Sequence, residues 1–343
     1  METCRTLENN MYIRGTHAAQ NECGALLRNQ YEPAVGAVLF PSGNAACWAV
    51  VQASLQLFKK CKQCVVLHAS ELYSDSCKML AAVQAVKVDT QDDVELHRLL
   101  DGIDKQTPVV YFVETHSNPS GMKPNTELLS LLAKRFALLH VVFDNTVLTS
   151  YRCNPFKQFG MLKTSQITVV CSASKHYSAG QAIGGFAAFG NNKMMSCAIS
   201  VSTSVGYHTT PATCRLISTA VETLAHRCSA SSAAAKDLAA DLASFITAKS
   251  LAAQVMHVEP SDLFLVTLRH NKLLTKHDLQ KAIVECVPVL RWATSYGGSD
   301  TRIDTWPVFT PSTCTFRVAV GYTCNQECSR ALERVLAACA VTA

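Results

Sequence analysis

The chain has 343 residues, 48% hydrophobic and 17% charged, which suits one large domain plus a smaller one and excludes a disordered chain. The net charge of +5 comes from scattered basic residues with only short clusters such as Lys59-Lys60-Cys61-Lys62, so a nucleic-acid partner is not expected. No run of about 18 apolar residues occurs, so no membrane span is expected, and Met1-Glu2-Thr3-Cys4-Arg5 lacks the apolar segment of a secretory signal.

In chain order, short apolar runs alternate with helical patterns. Val65-Val66-Leu67, Val109 to Val113, Val141-Val142-Phe143 and Ile167 to Val170 read as buried strands. Helices are predicted over Ala45 to Lys60, Ser76 to Ala82 and Thr126 to Phe136. This alternation predicts an α/β fold with a mostly parallel sheet, whose functional loops cluster at the strand C-termini. Residues 200–212 are rich in Ser, Thr and Gly, and Pro211 opens a long helical pattern to about Lys249. Beyond it, Leu263 to Leu268 and Thr315 to Val320 read as strands, with helices near Lys272 to Val284 and Asn325 to Ala340.

Sixteen cysteines sit mostly alone in apolar stretches of a long chain, which reads as reduced thiols acting as small core residues in a reducing, cytoplasmic compartment. Cys61-Lys62-Gln63-Cys64 lies between a helix and a strand, the reverse of the order in thioredoxin-like motifs, and has no partner pair at zinc-finger spacing. The eleven histidines form no H-E-x-x-H and no ligand cluster, so no metal is expected.

The most informative segment is Val169-Val170-Cys171-Ser172-Ala173-Ser174-Lys175, where an apolar run stops at two hydroxyls and a lysine. Earlier, His140-Val141-Val142-Phe143-Asp144-Asn145-Thr146 is an apolar run that ends in an acid. A lysine past one strand and an aspartate closing another suit pyridoxal phosphate, with the lysine as Schiff-base partner and the aspartate holding the ring-nitrogen proton. Taken singly, each is more often a solvated lysine or a capping aspartate.

Read together, the motifs resemble the Cys/Met-metabolism family of pyridoxal-phosphate enzymes from about Tyr12 to Gly321. That family includes cystathionine lyases and synthases, methionine γ-lyase and homoserine sulfhydrylases. The resemblance implies the type I aminotransferase-like fold. It divides the chain into an N-terminal arm (1–30) in dimer contact, a cofactor-binding large domain (31–215) and a smaller α/β C-terminal domain (216–343). Tyr12-Ile13-Arg14 is similar to Y-x-R, whose tyrosine and arginine reach the cofactor phosphate of a neighbouring subunit, so a homo-oligomer, at least a dimer, is implied. The arm before Tyr12 is short, which leaves dimer and tetramer open.

Pro41-Ser42-Gly43-Asn44-Ala45-Ala46 resembles S-G-M-A-A, where backbone N–H groups at a helix start hold phosphate, so Gly43 and Asn44 are cofactor-binding. Tyr73 in Glu71-Leu72-Tyr73-Ser74-Asp75-Ser76 corresponds to the tyrosine of D-x-Y-G-G-T, which stacks on the ring and exchanges protons with substrate. Two glycines of that motif are Ser74 and Asp75 here, and the added carboxylate bears on specificity. Glu114-Thr115-His116-Ser117-Asn118-Pro119 resembles E-[ST]-P-[ST]-N-P and makes Asn118 the partner of the ring hydroxyl, with His116 a local substitute for proline.

Ser172, Ser174 and Lys175 match S-x-[ST]-K: the hydroxyls hold phosphate, and Lys175 binds the cofactor and shuttles the Cα proton. The stretch Tyr177 to Ala182 departs from the family's G-H-x-D-like run. Ser295-Tyr296-Gly297-Gly298 resembles S-x-G-G, and Arg317 lies in a segment like R-x-[SA]-V-G. By that likeness Arg317 binds the substrate α-carboxylate and Ser295 supports it.

The implied activity is a carbon–sulfur lyase of transsulfuration acting on cystathionine or a related sulfur amino acid. Loss of a β-substituent yields pyruvate and ammonia, while γ-elimination yields 2-oxobutyrate. Asp75, in place of the cysteine often found in methionine γ-lyases, and the aromatic Tyr296 put β-elimination slightly ahead. A synthase or sulfhydrylase, and a non-catalytic relative, stay open.

Overall fold

β-Branched and aromatic residues dominate the central strands, and strands apolar on both faces belong inside a parallel sheet covered by helices. The computed structural model describes residues 17–88, 93–118, 120–270, 275–286, 289–305 and 307–341. Tyr12 and Arg14 lie outside the described residues. Two compact units divide at Glu222 and Thr223.

The first unit opens with α1 (Ala18–Gln30), β1 (Gly36–Phe40), α2 (Gly43–Leu57), β2 (Val65–Ala69), α3 (Ser74–Ala82), β3 (Val86–Val88) and α4 (Asp93–Asp101). It continues with β4 (Val109–Glu114), α5 (Thr126–Arg135), β5 (Leu139–Asp144), two short helices (Thr149–Arg152 and Pro155–Gln158), β6 (Ile167–Ser172) and β7 (Gly185–Phe189). Two helices follow, α6 (Asn192–Val205) and α7 (Pro211–Glu222). The lateral order in the seven-stranded sheet is β1-β7-β6-β5-β4-β2-β3. Only β7 runs against the others, pairing antiparallel with β1 and β6. All six residues of β4 are buried. Beneath the sheet, Ala46, Val50 and Ala53 of α2 pack with Val110, Phe112, Val142 and Val170, and each fully buried Val or Phe contributes about 1.5–3 kcal/mol.

The second unit holds α8 (Leu224–Ala248), β8 (Ala253–His257), β9 (Leu263–Arg269), α9 (Lys276–Val284), β10 (Leu290–Trp292), β11 (Thr301–Ile303), β12 (Val308–Phe309), β13 (Thr313–Ala319) and α10 (Gln326–Cys339). Its six-stranded sheet runs β10-β11-β13-β9-β8, with β12 on β13. Leu238, Leu242 and Ile246 of α8 and Leu332, Val335 and Leu336 of α10 share one core with Phe264, Val266 and Phe316.

The α/β class and the predicted strands are present, alongside elements the pattern did not predict, among them α1, α4, β1, β3, β7, β8 and β10 to β12. The pattern beginning at Pro211 is two helices broken at Thr223, whose backbone (φ −103°, ψ 4°) leaves the helical region. The Ser/Thr-rich stretch from residue 200 is helical as far as Val205. There the hydroxyls of Thr203 and Ser204 donate to the carbonyls of Ile199 and Ser200, both at 2.9 Å, satisfying themselves within the helix. Strands β1 and β7 escape the sequence pattern because Gly36-Ala37 and Gly185-Phe186-Ala187-Ala188 have low strand propensity. No disulfide joins cysteines among the described residues, and no helix among them is long and apolar enough to cross a membrane.

One core residue gives a pH signature. His140 on β5 is 3% exposed, and burial pushes its pKa down to about 4. A depressed histidine is neutral in the folded state while the unfolded chain takes a proton. Its stabilising contribution is therefore full above about pH 6.5 and is lost as the pH falls towards 4. Between pH 7 and pH 5 this group alone should cost about 2 kcal/mol. Urea midpoints at the two pH values should differ less in His140→Phe than in the wild type.

Candidate active site

The parallel strands of the first unit bring their C-terminal ends to one edge, where the antiparallel β7 begins. Loops at that edge carry Ser42 to Asn44, Tyr73, Asn118, Asp144 and Ser172 to Lys175. Residues spread over more than a hundred positions thus gather where open α/β sheets bind ligands.

At the start of α2 the Ser42 hydroxyl accepts the Ala45 N–H at 3.1 Å. The N–H groups of Gly43 and Asn44 precede any intrahelical partner and are available to an anion. Close approach explains the glycine: a Cβ on Gly43 would lie 2.7 Å from Ser172 Cβ and 3.0 Å from Ser172 Oγ. A Cβ on Gly185 would overlap the Ser42 carbonyl. The first turn of α2, the end of β6 and the start of β7 therefore close on one another. The Ser172 N–H donates to Thr146 Oγ1 at 2.8 Å, while among the described residues no side chain or backbone group engages its hydroxyl. The Ser174 hydroxyl is already engaged: it accepts the Gly184 N–H at 3.0 Å and donates to the Gly184 carbonyl at 3.2 Å. Ser172 thus presents the open hydroxyl, and Ser174 straps the lysine loop to β7.

Asp144 ends β5. Its Oδ1 accepts the Thr146 N–H at 2.9 Å and Cys47 Sγ lies 4.0 Å from its Oδ2. The turn after it is fixed by buried Asn145, which donates to Tyr31 Oη at 3.0 Å and the Cys153 carbonyl at 2.7 Å and accepts from Thr115 Oγ1 at 2.6 Å. Burial pushes the Asp144 carboxyl up, against the opposing pull of the Thr146 bonds. Glu114, its register partner on β4, is pushed well up by burial first and by Asp144 second. Two carboxyls side by side, Glu114 buried and Asp144 half-buried, favour a cation set against them.

Tyr73 stands at the start of α3, 48% exposed. Its backbone N–H donates to the Glu114 carboxyl, and the Asn118 N–H donates to the same carboxyl. Burial raises the Tyr73 phenol, as do the charge and hydrogen bond of Asp75. Asp75 itself is lowered chiefly by Lys78, 2.9 Å away, and Asn44 Nδ2 reaches it at 3.4 Å. Lys175 follows β6 and leads into a 3-10 turn (His176–Ser178). Its carbonyl accepts the Gly180 N–H at 2.9 Å.

In the second unit, Arg317 on β13 is 8% exposed, forms a short ion pair with Asp304 and sets its guanidinium 5.8 Å from the centroid of Tyr296. Ser295, beside Tyr296, has a positive φ of 92°. Three residues escaped the sequence reading: Glu114, Cys47 and Asp304. Glu114 opens a motif already noted, yet its partners are backbone groups of other loops, which carry no side-chain signature. Nothing in the spacing of Cys47 and Asp304 signals their contacts.

The sequence profile of the family described as Cys/Met metabolism PLP-dependent enzyme matches residues 5–303. No curated protein matches the chain in sequence. Among solved structures, a putative O-acetylhomoserine (thiol)-lyase from Campylobacter jejuni, determined with a pyridoxyl-lysine phosphate, is 19% identical. It superposes with a TM-score of 0.73 over 95% of this chain and 87% of that one. A cystathionine gamma synthase from Xanthomonas oryzae pv. oryzae gives 17% identity and a TM-score of 0.75, covering 95% of this chain and 87% of that chain. CalE6, a methionine gamma lyase from Micromonospora echinospora, gives 17% identity and a TM-score of 0.73, covering 95% and 88%. At these identities the likeness establishes the fold, that of type I pyridoxal-phosphate enzymes.

The residues present fit the cofactor: a glycine-narrowed helix start beside an open serine hydroxyl suits its phosphate, and the half-buried Asp144 carboxyl suits a protonated ring nitrogen. With its profile match over most of the length and this fitting site, the chain belongs to the Cys/Met-metabolism family of enzymes that depend on pyridoxal 5'-phosphate.

Proposed function

We propose that this chain is a carbon–sulfur lyase of sulfur amino acid metabolism, eliminating at the β- or γ-carbon of cystathionine or a related amino acid. The observation that carries the reading is the gathering of Tyr73, Asp144, Ser172 and Lys175 at one sheet edge. When bound, the cofactor supplies an electron sink for the pair released at the substrate Cα. The chain's own residues do the rest. Ser172 Oγ and the N–H groups of Gly43 and Asn44 hold the phosphate, with Ser174 fixing the strap beside them. Asp144, pinned by Thr146, holds the ring-nitrogen proton, and Asn118 serves the ring hydroxyl. Lys175 is the covalent anchor and moves the Cα proton.

Tyr73 would stack on the ring. With burial first and Asp75 second keeping its hydroxyl protonated, it acts as a proton donor at neutral pH. Arg317, steadied by Asp304, is read as the binder of the substrate α-carboxylate, supported by Ser295. Tyr12 and Arg14 are read as reaching a neighbouring subunit of a homo-oligomer. The setting is read as reducing and cytoplasmic from the sixteen cysteines scattered along a long chain.

A synthase or sulfhydrylase is the second reading, favoured by the likeness to the cystathionine gamma synthase and the putative O-acetylhomoserine (thiol)-lyase. The deciding experiment incubates cofactor-loaded protein with L-cystathionine and identifies the keto acid. Pyruvate is the expected product and marks β-elimination, while 2-oxobutyrate marks γ-elimination. If neither forms, the lyase reading is wrong; thioether formation from an activated homoserine and a thiol then supports the transferase.

A further inference from the structure

Glu114 makes contacts that the proposed chemistry does not use. It closes β4, is 6% exposed, and its carboxyl accepts backbone N–H groups from two loops. One is the N–H of Tyr73, after β2, and the other is the N–H of Asn118, after β4. The same two loops are tied a second time, where the Ser117 hydroxyl donates to the Glu71 carbonyl at 3.3 Å. On its other side Glu114 pairs in register with Asp144, and the Thr115 N–H donates to the Asp144 carbonyl at 2.9 Å.

A line of ties therefore crosses the strand ends from Tyr73 through Glu114 to Asp144, then through Thr146 to Ser172. Burying a carboxyl is costly unless its lone pairs are met by donors. A glutamine or an apolar residue would end a strand more cheaply. What a carboxyl offers here is two oxygens, and so acceptance from two loops at once.

We propose that Glu114 is a positioning residue, which sets the Tyr73 and Asn118 loops against the cofactor by accepting one backbone N–H from each. The inference rests on the reading of Tyr73 and Asn118 as cofactor contacts. It acts through those two residues, and Glu114 itself exchanges no proton with substrate.

The test uses full-length protein with pyridoxal phosphate as the probe. Three quantities are read: cofactor dissociation constant, circular dichroism of the bound cofactor, and melting temperature of the cofactor-free protein. Glu114→Gln keeps one acceptor oxygen and should weaken cofactor binding about tenfold. Glu114→Ala loses both and should weaken it about a hundredfold, with a changed dichroic band. In a Tyr73→Ala/Asn118→Ala background, Glu114→Gln should cause little further loss, because the residues act as one unit.

Should Glu114→Ala fail to fold, Glu114→Gln carries the test alone. A Glu114→Gln protein that melts lower but binds cofactor with wild-type affinity and dichroism overturns the inference, leaving a structural residue. So does a full additive loss in the double-variant background. If Tyr73→Ala and Asn118→Ala themselves leave affinity and dichroism unchanged, the reading of those two residues fails first, and the positioning role fails with it.

Discussion

Lys175→Ala is expected to abolish the visible absorption that a lysine-linked cofactor gives and to lower turnover on the order of 10^4-fold. Two roles are lost together, the covalent anchor and the group that moves the Cα proton, so no remaining side chain supplies either. The local backbone should be kept. Lys175 makes its described backbone contact through its carbonyl, which accepts from Gly180, and alanine keeps that bond. The strap beside it depends on Ser174 and Gly184. An unchanged melting temperature of the cofactor-free variant, with no absorption band after reconstitution, is the expected pair of results. Lys175→Arg keeps a positive charge but is no nucleophile at neutral pH, and should fail equally. A variant that still binds cofactor covalently and turns over would place the chemistry on another lysine.

Asp144→Asn should cost turnover on the order of 10^3-fold, with cofactor still bound. Asparagine is nearly isosteric, and its carbonyl oxygen still accepts the Thr146 N–H that Asp144 Oδ1 takes at 2.9 Å. What disappears is the negative charge that keeps the ring nitrogen protonated and so able to draw electrons from Cα. The neighbouring Glu114 carboxyl gives this change a second consequence. Glu114 is held up partly by the charge of Asp144, so removing that charge lets the Glu114 pKa fall. The variant should therefore bind cofactor with only modest weakening while its rate collapses. Single-turnover measurement of Cα–H exchange separates the two effects: exchange slowed together with turnover supports the assignment, whereas normal exchange with slow turnover would refute it.

Much of the molecule was legible in the chain alone, for physical reasons. Strands buried on both faces must be continuous apolar runs, so Val109 to Val113, Val141 to Phe143 and Ile167 to Val170 announced themselves. Chemistry at strand ends needs particular side chains, so Asp144 and Lys175 stood out as residues that end such runs. The family followed from motif order, and the profile match over residues 5–303 bears it out.

Other features depend on distances between residues far apart in sequence, and no local pattern encodes them. Gly36 to Phe40 and Gly185 to Phe189 became strands because the sheet had places for them, overriding weak local propensity. The glycine at 43 is required by a serine 129 positions later. The Ser174 hydroxyl is turned to Gly184, Arg317 is met by Asp304, and Glu114 takes two backbone donors from separate loops. Backbone N–H groups look alike at every position, so the sequence names the acid but only the fold brings its donors to it.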